Sequence, residues 1–246
     1  MRLVIKETTP YNEIGVYETS ELYGEKGSYR ILKFADEAVQ GALDLNDPGR
    51  VVLAYQQAVI HLMQTNVPAA YSNIFLIGHG IGTIARHDPD VRFTVAEIDG
   101  QLLEISRCHF GYGMDNVRIG DGRSLLESEA SETYDAIIVD AFTAEGTPSR
   151  FTTTAFFETV KEKLAAGGIV LLNLFGKRIN DRLTAAIRST LGEKFAHTQV
   201  FFRPTNAADD EGNLIIAGSD EQVAYKERQM AGFREIEIVE GHIIRD

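Results

Sequence analysis

The chain has a single cysteine, Cys108, in 246 residues. That excludes an internal disulfide framework and fits a reducing compartment, so a cytoplasmic location is expected. No apolar run reaches the roughly 18 residues of a membrane span, and the opening MRLVIKETTP lacks a signal-peptide core. No membrane partner is therefore expected. Basic residues are in deficit: 24 Lys and Arg against 36 Asp and Glu leave a formal charge of −12. This argues against a nucleic-acid surface, which needs a basic patch, and would favour the approach of a small cation. Internal repeats and low-complexity tracts are also missing. What is present is ordinary for a soluble globular chain, 44% hydrophobic and 24% charged, long enough for one large domain with a small appendage.

The first fifty residues differ from the rest. RLVIKET, EIGVYET and SYRILKF are rich in β-branched and aromatic residues and are broken by Pro10, Asn12, Gly24 and Gly27. They predict two or three antiparallel strands in a small N-terminal domain over residues 1–50. LNDPGR reads as a turn, with Asp47 placed to cap a helix over RVVLAYQQAVIHLM, where Val52, Tyr55, Val59 and Leu62 share one face. From Ser72 onward, NIFLIG, RFTVAEID, NVRIG, YDAIIVD and GGIVLLNLF read as strands. Helical segments around Gln101–Phe110, Arg123–Glu129 and Thr152–Ala165 lie between them. Continuous apolar strands alternating with helices imply a parallel sheet covered on both faces. A further helix, Asp181–Leu191, precedes HTQVFFRP and NLIIAGS, whose joining loop suits an antiparallel hairpin. Five parallel strands closed by a hairpin match a Rossmann-like, class I S-adenosylmethionine-dependent methyltransferase architecture over residues 51–246.

In doubly wound sheets, ligands bind at the carboxyl ends of the strands near the switch in strand order. The first strand ends in IGHGIGT, with Gly78, Gly80 and Gly82 spaced for a tight turn close to a ligand. The second ends in VAEID, where an acidic residue can accept hydrogen bonds from ribose hydroxyls. Glu97 and Asp99 are both available there, and either can instead cap the next helix. The third is followed by GDGRS, where Asp121 can take an adenine amino group while Gly122 admits the ring. The fourth ends in a carboxylate, Asp140, inside YDAIIVDAFTAEGTP. A dinucleotide-binding domain would share the first two signals, but expects G-x-G-x-x-G where Thr83 and Ile84 follow Gly82.

These residues resemble the spermidine synthase family of aminopropyltransferases. The resemblance runs from AVQGALDLNDPGRVVLAYQQAVIH through FLIGHGIGT, VAEID, IGDGRSLL and YDAIIVDAFTAEGTP to FTTTAFFETVKEKLAAGGIVLLNL. In that family decarboxylated S-adenosylmethionine gives its aminopropyl group to a di- or polyamine, leaving methylthioadenosine. The resemblance implies that Gln40, Gly78, His79, Gly80 and Gly82 touch the nucleoside. It implies that Glu97, with Ile98 beside it, holds the ribose, and that Asp121 and Gly122 hold the adenine. Tyr55 and Asp140 would bind and deprotonate the attacking amine, with Glu145 as a second charge. It also implies a homodimer; no metal is expected, because His87, His109 and Cys108 lack partners at metal-ligand spacing.

The departures bear on the reaction. The family's glycine loop carries an aspartate for the aminopropyl ammonium; Ile81 stands there, and His79 replaces a glycine. A second acceptor-site aspartate is replaced in the region of Thr143 and Ala144, and the loop to Pro148 is one residue longer. Tyr-His-Glu on the N-terminal helix becomes Tyr55-Gln56-Gln57. Without a carboxylate at Ile81, S-adenosylmethionine itself is a possible donor, giving S-adenosylhomocysteine in a methyl transfer. Aminopropyl transfer, methyl transfer to a small molecule and non-catalytic nucleoside binding stay open, in that order. The remaining residues read more simply. His61, Tyr112 and Tyr134 are expected to pack; His87, His109 and Cys108 lack metal-ligand spacing; DDE at 209–211 is expected in a solvated hairpin loop.

Overall fold

Alternate residues of each central strand point to opposite faces of one sheet, which is why those strands read as unbroken apolar runs. In the computed structural model, residues 1–35, 38–68, 72–143, 146–206 and 210–246 are described. The parallel strands are β5 (Asn73–Ile77), β6 (Arg92–Glu97), β7 (Val117–Ile119), β8 (Tyr134–Val139) and β9 (Leu164–Lys177). Ile74, Leu76, Ala136, Ile138, Ile169 and Leu171 enter the core on one face. Phe75, Ile77, Ile137, Val139, Val170 and Leu172 enter the core on the other. The sheet is completed by the antiparallel strands β10 (His197–Pro204), β11 (Glu211–Ser219) and β12 (Arg234–Ile236), in the order β12-β10-β11-β9-β8-β5-β6-β7.

Helix α1 (Ala54–Asn66) packs on the first face, with Ala58, Val59, Leu62 and Met63 in its core. The second face is covered by α3 (Gly122–Glu127), α4 (Thr154–Lys163) and α5 (Arg182–Gly192). Helix starts follow their capping residues: Thr153 accepts from Phe156 N, and Asp181 accepts from Thr184 N. Asp47 does not cap α1. The helix begins at Ala54 behind Leu53, which makes no side-chain cap, and Val51 is held in a bridge to Leu43. Between β5 and β6, where the sequence leaves little room, there are turns only.

The N-terminal sheet has four strands in sequential antiparallel order, β1 (Arg2–Thr8), β2 (Glu13–Leu22), β3 (Glu25–Lys33) and β4 (Val39–Asp44). This is one more than two or three. β4 contains Gly41, whose missing side chain admits Ile81: a Cβ there would lie 2.7 Å from Ile81 Cγ2. Ile81 joins Ile14, Leu32, Leu43, Leu102 and Phe110 in the apolar layer that joins this sheet to α2 (Gly100–Phe110). The N-terminal sheet thus roofs the glycine loop.

Candidate active site

The carboxyl edge of the parallel strands is level at four positions. Gly78 N donates to Ala96 O, Gly120 N to Glu97 O and Asp140 N to Ile77 O. β5 pairs with β6 on one side and β8 on the other, so the strand order reverses beside it and leaves a crevice. A pocket opens there, lined by Gln40, Tyr55, Glu97, Ile98, Asp140 and Arg150 among others. It encloses about 100 Å³, less than the roughly 300–1,000 Å³ of a typical small-molecule site.

Gly78 and Gly82 are required by geometry. Gly78 has φ +97°, and a Cβ there would lie 2.0 Å from the carbonyl oxygen of Asp140. Gly82 has φ +77°, and a Cβ there would lie 2.2 Å from Tyr112 Cδ2. Gly78→Ala should therefore destabilise the fold by at least about 2 kcal/mol through strain and overlap. This is measured as a lowered denaturant midpoint; an unchanged midpoint would mean the loop is not packed as described.

Glu97 is only 6% exposed. One carboxylate oxygen accepts from His79 N at 2.9 Å and the other from Asp99 N at 2.8 Å. Burial pushes its carboxyl up, and these two backbone donors oppose the shift. Asp99 is the helix cap: Oδ1 accepts from Gln101 N, while Oδ2 accepts from Thr9 Oγ1, in the turn between β1 and β2, at 2.6 Å. The two acidic residues of VAEID thus divide the tasks, and Glu97 is the one presented to the pocket with Ile98.

His79 fixes Glu97 through its backbone, while its ring faces α2. Ser106 Oγ donates to Leu103 O, so it accepts from His79 Nε2 at 2.8 Å. That assigns the proton to Nε2 and leaves Nδ1 a buried acceptor without a donor. Burial, with Arg86 and Arg107 nearby, pushes the ring down to about 4, so it is neutral at pH 7. It packs edge-on to Tyr112, with ring centres 4.5 Å apart.

At the third strand end, Asp121 caps α3: Oδ1 accepts from Ser124 N at 2.9 Å, and Oδ2 pairs with Arg150 at 2.6 Å. Gly122 lines the pocket against Ile77, where a Cβ would lie 2.5 Å from Ile77 Cγ2. Arg150 is a pocket residue that the sequence did not reveal.

Asp140 is held from two sides. Tyr55 OH donates to Oδ2 at 3.2 Å and Asn173 Nδ2 to Oδ1 at 2.8 Å. Gln56 Nε2 donates in turn to Tyr55 OH at 3.2 Å. Burial raises the Asp140 carboxyl to about 6, against the Asn173 and Tyr55 hydrogen bonds that lower it. Burial and the neighbouring Asp140 charge also push the Tyr55 phenol well up, so it remains a donor. These hydrogen bonds fix both amides, leaving Gln56 Oε1 and Asn173 Oδ1 as buried acceptors with no donor. Asn173 was not singled out from the sequence, although a lone amide inside GGIVLLNLF is a visible signal. Glu145 lies outside the described residues. Gln57 turns away, donating to Val51 O.

His61, Tyr112 and Tyr134 make structural contacts. His61 Nε2 accepts from Lys226 N, Tyr112 OH donates to Asn116, and Tyr134 OH donates to Glu129. Among the described residues, no three His, Cys, Asp or Glu side chains are placed to hold a metal ion, and no helix is long and apolar enough to cross a membrane.

Residues 52–227 match the model of the spermine/spermidine synthase domain. A spermidine synthase 2 of Datura stramonium is 28% identical over 180 residues, 69% of this chain and 52% of that protein. A polyamine aminopropyltransferase of Chromobacterium violaceum is 29% identical over 160 residues, 61% of this chain and 59% of that protein. The chain thus spans little more than half the length of these relatives. A probable spermidine synthase from Corynebacterium glutamicum superposes with TM-score 0.76 at 25% identity, over 90% of this chain and 82% of that one. Human methyltransferase-like protein 13 in complex with SAH superposes with TM-score 0.56 at 21% identity, over 72% of this chain and 87% of that one, a likeness of fold. With the glycine loop, Glu97 and Asp140 level at one sheet edge, and most of the chain matched, the protein belongs to the spermine/spermidine synthase family.

Proposed function

We propose that the protein is an aminopropyltransferase, moving an aminopropyl group from decarboxylated S-adenosylmethionine to a di- or polyamine. The observation that carries this reading is Asp140, hydrogen-bonded by Tyr55 and Asn173 at the edge of the pocket that Glu97 and the glycine loop form. A protonated amine has no lone pair, so attack on the carbon beside a sulfonium requires a base. Asp140 attracts the ammonium and takes one proton. The freed nitrogen lone pair then forms the new C–N bond as the C–S bond breaks, and methylthioadenosine leaves. Tyr55 and Asn173 hold the carboxylate in line, and positioning supplies the rest, since a sulfonium is already a good leaving group.

At the nucleoside end, Glu97 is placed in this reading to accept from both ribose hydroxyls, with Gln40 and the loop Gly78-His79-Gly80 against the sugar. Gly122 lets the adenine approach, and Asp121, whose Oδ1 is taken by Ser124, would offer Oδ2 to its amino group. We place the reaction in the cytoplasm, on the single free cysteine, and in a homodimer by analogy with the family.

Methyl transfer from S-adenosylmethionine is the second reading, and Ile81 favours it. Its side chain is 1% exposed, inside the apolar layer under the N-terminal sheet. No carboxylate stands there to select the decarboxylated donor. Discrimination between the two donors should therefore stay below about a hundredfold, or 2.7 kcal/mol. Calorimetry with decarboxylated S-adenosylmethionine, S-adenosylmethionine and methylthioadenosine in parallel measures it. A larger preference would show that another group recognises the ammonium. The reaction itself is tested by incubating each donor with a panel of amines and identifying the nucleoside product. Methylthioadenosine supports the first reading, and S-adenosylhomocysteine the second.

A further inference from the structure

A second cleft, of about 730 Å³, lies on the far side of the glycine loop from Asp140. It is bounded by β3 and β4, by the turn before α1, by the segment Thr83–His87 and by the C-terminal end of α2. In a chain of net charge −12, its described lining contains four arginines and two histidines and no carboxylate. Three of those arginines are paired with acidic groups set outside the lining. Arg30 pairs with Glu18, Arg50 with Glu25 and Asp44, and Arg107 with Glu104 and more distantly Asp115.

Arg86 is different. Its guanidinium donates to the carbonyl of Phe110 at 2.7 Å and, among the described residues, has no carboxylate within ion-pair distance. It is partly buried, and that burial pushes it below its ordinary range. Three residues earlier, Thr83 also lines the cleft. Thr83 is 7% exposed, and its hydroxyl is buried with no hydrogen-bond partner. A half-buried cation without a counter-ion and a buried hydroxyl without a partner both carry a desolvation cost. One ligand would relieve both: an anion with several oxygens, accepting from the hydroxyl and from the guanidinium fork together.

We propose that this cleft binds a phosphate-class oxyanion, with Thr83 Oγ1 and Arg86 as its inner contacts and Arg107 beside them. A planar guanidinium fork serves a carboxylate as well as a phosphate. The additional positive charge of Arg107 beside the cleft favours the more highly charged phosphate. The volume exceeds what an inorganic ion needs and matches a small organic molecule, so the phosphate is either free or carried on such a molecule.

The test is calorimetric titration of the full chain at fixed ionic strength with inorganic phosphate, ribose 5-phosphate and acetate. One saturable site per chain is expected for at least one phosphate compound, with acetate at least tenfold weaker. Tighter binding of inorganic phosphate identifies the free ion as the ligand; tighter binding of ribose 5-phosphate identifies an organic phosphate. Arg86→Gln and Thr83→Val should each weaken binding by tenfold or more. Thr83→Val keeps the side-chain shape and removes an unpartnered hydroxyl, so its melting temperature without ligand should not fall. If Arg86→Gln fails to fold, Thr83→Val decides alone. Absence of saturable phosphate binding, acetate binding as tightly as phosphate, or undiminished binding in Thr83→Val would each overturn the site.

Discussion

Asp140→Asn is expected to lower aminopropyl turnover by about 10²–10⁴-fold, the usual contribution of a general base, while nucleoside affinity barely changes. Asparagine keeps the size of the side chain and its bond from Asn173, so loss of the proton acceptor is isolated from loss of shape. Because the carboxyl is raised to about 6, wild-type kcat/KM should rise with pH through about 6 and level above it. The variant should lose that limb. The same substitution should stabilise the protein at neutral pH. The folded-state value lies above the unfolded one, about 3.9, so the protonated form fits the fold better than the charged one. The contribution of this group to stability is full below about pH 4 and is lost as pH rises through about 6. At pH 7 the variant should therefore be more stable than wild type by about 1–3 kcal/mol, and the difference should vanish near pH 4. Equal stability at both pH values would mean that the carboxylate is well solvated and not a poised base.

Glu97→Ala should weaken methylthioadenosine binding by about a hundredfold or more. Each hydrogen bond to a charged group is worth about 1.5–3 kcal/mol, and two ribose hydroxyls are involved in the proposed mode. The substitution also leaves the backbone N–H groups of His79 and Asp99 without their acceptor, which loosens the loop that carries the nucleoside in the proposed mode. Glu97→Gln keeps one acceptor oxygen and should lose only about tenfold. Calorimetry with methylthioadenosine measures both. An affinity unchanged in Glu97→Ala would place the nucleoside elsewhere.

Much of this arrangement was legible because strand ends carry their own signals. An apolar run closing on glycine, VAEID or Asp140 marks the carboxyl edge of a parallel sheet before any register is known. What the sequence could not separate were Glu97 and Asp99, two residues apart and chemically alike. Only the start of α2 at Gly100 makes Asp99 the cap and frees Glu97. Partnerships between strands were equally hidden. Asn173 reaches Asp140 because β8 and β9 pair with Val139 opposite Leu172, and sequence does not specify register. Thr9 meets Asp99 across 90 residues, a contact between the two sheets that sequence does not show either. β4 was not read as a strand, and its Gly41 makes room for Ile81. Asp47 had the chemistry of a cap, but the chain runs on through the Leu43–Val51 bridge before the helix begins.

The most direct test of the central claim is to measure methylthioadenosine released from decarboxylated S-adenosylmethionine by wild type and Asp140→Asn, across a panel of di- and polyamines from pH 5 to pH 8. The account predicts release by the wild type that depends on an amine and rises through about pH 6, and release by the variant that is at least about a hundredfold slower. It is contradicted if the variant stays within a few-fold of wild type on the same amine, or if the nucleoside binds and no amine in the panel releases methylthioadenosine.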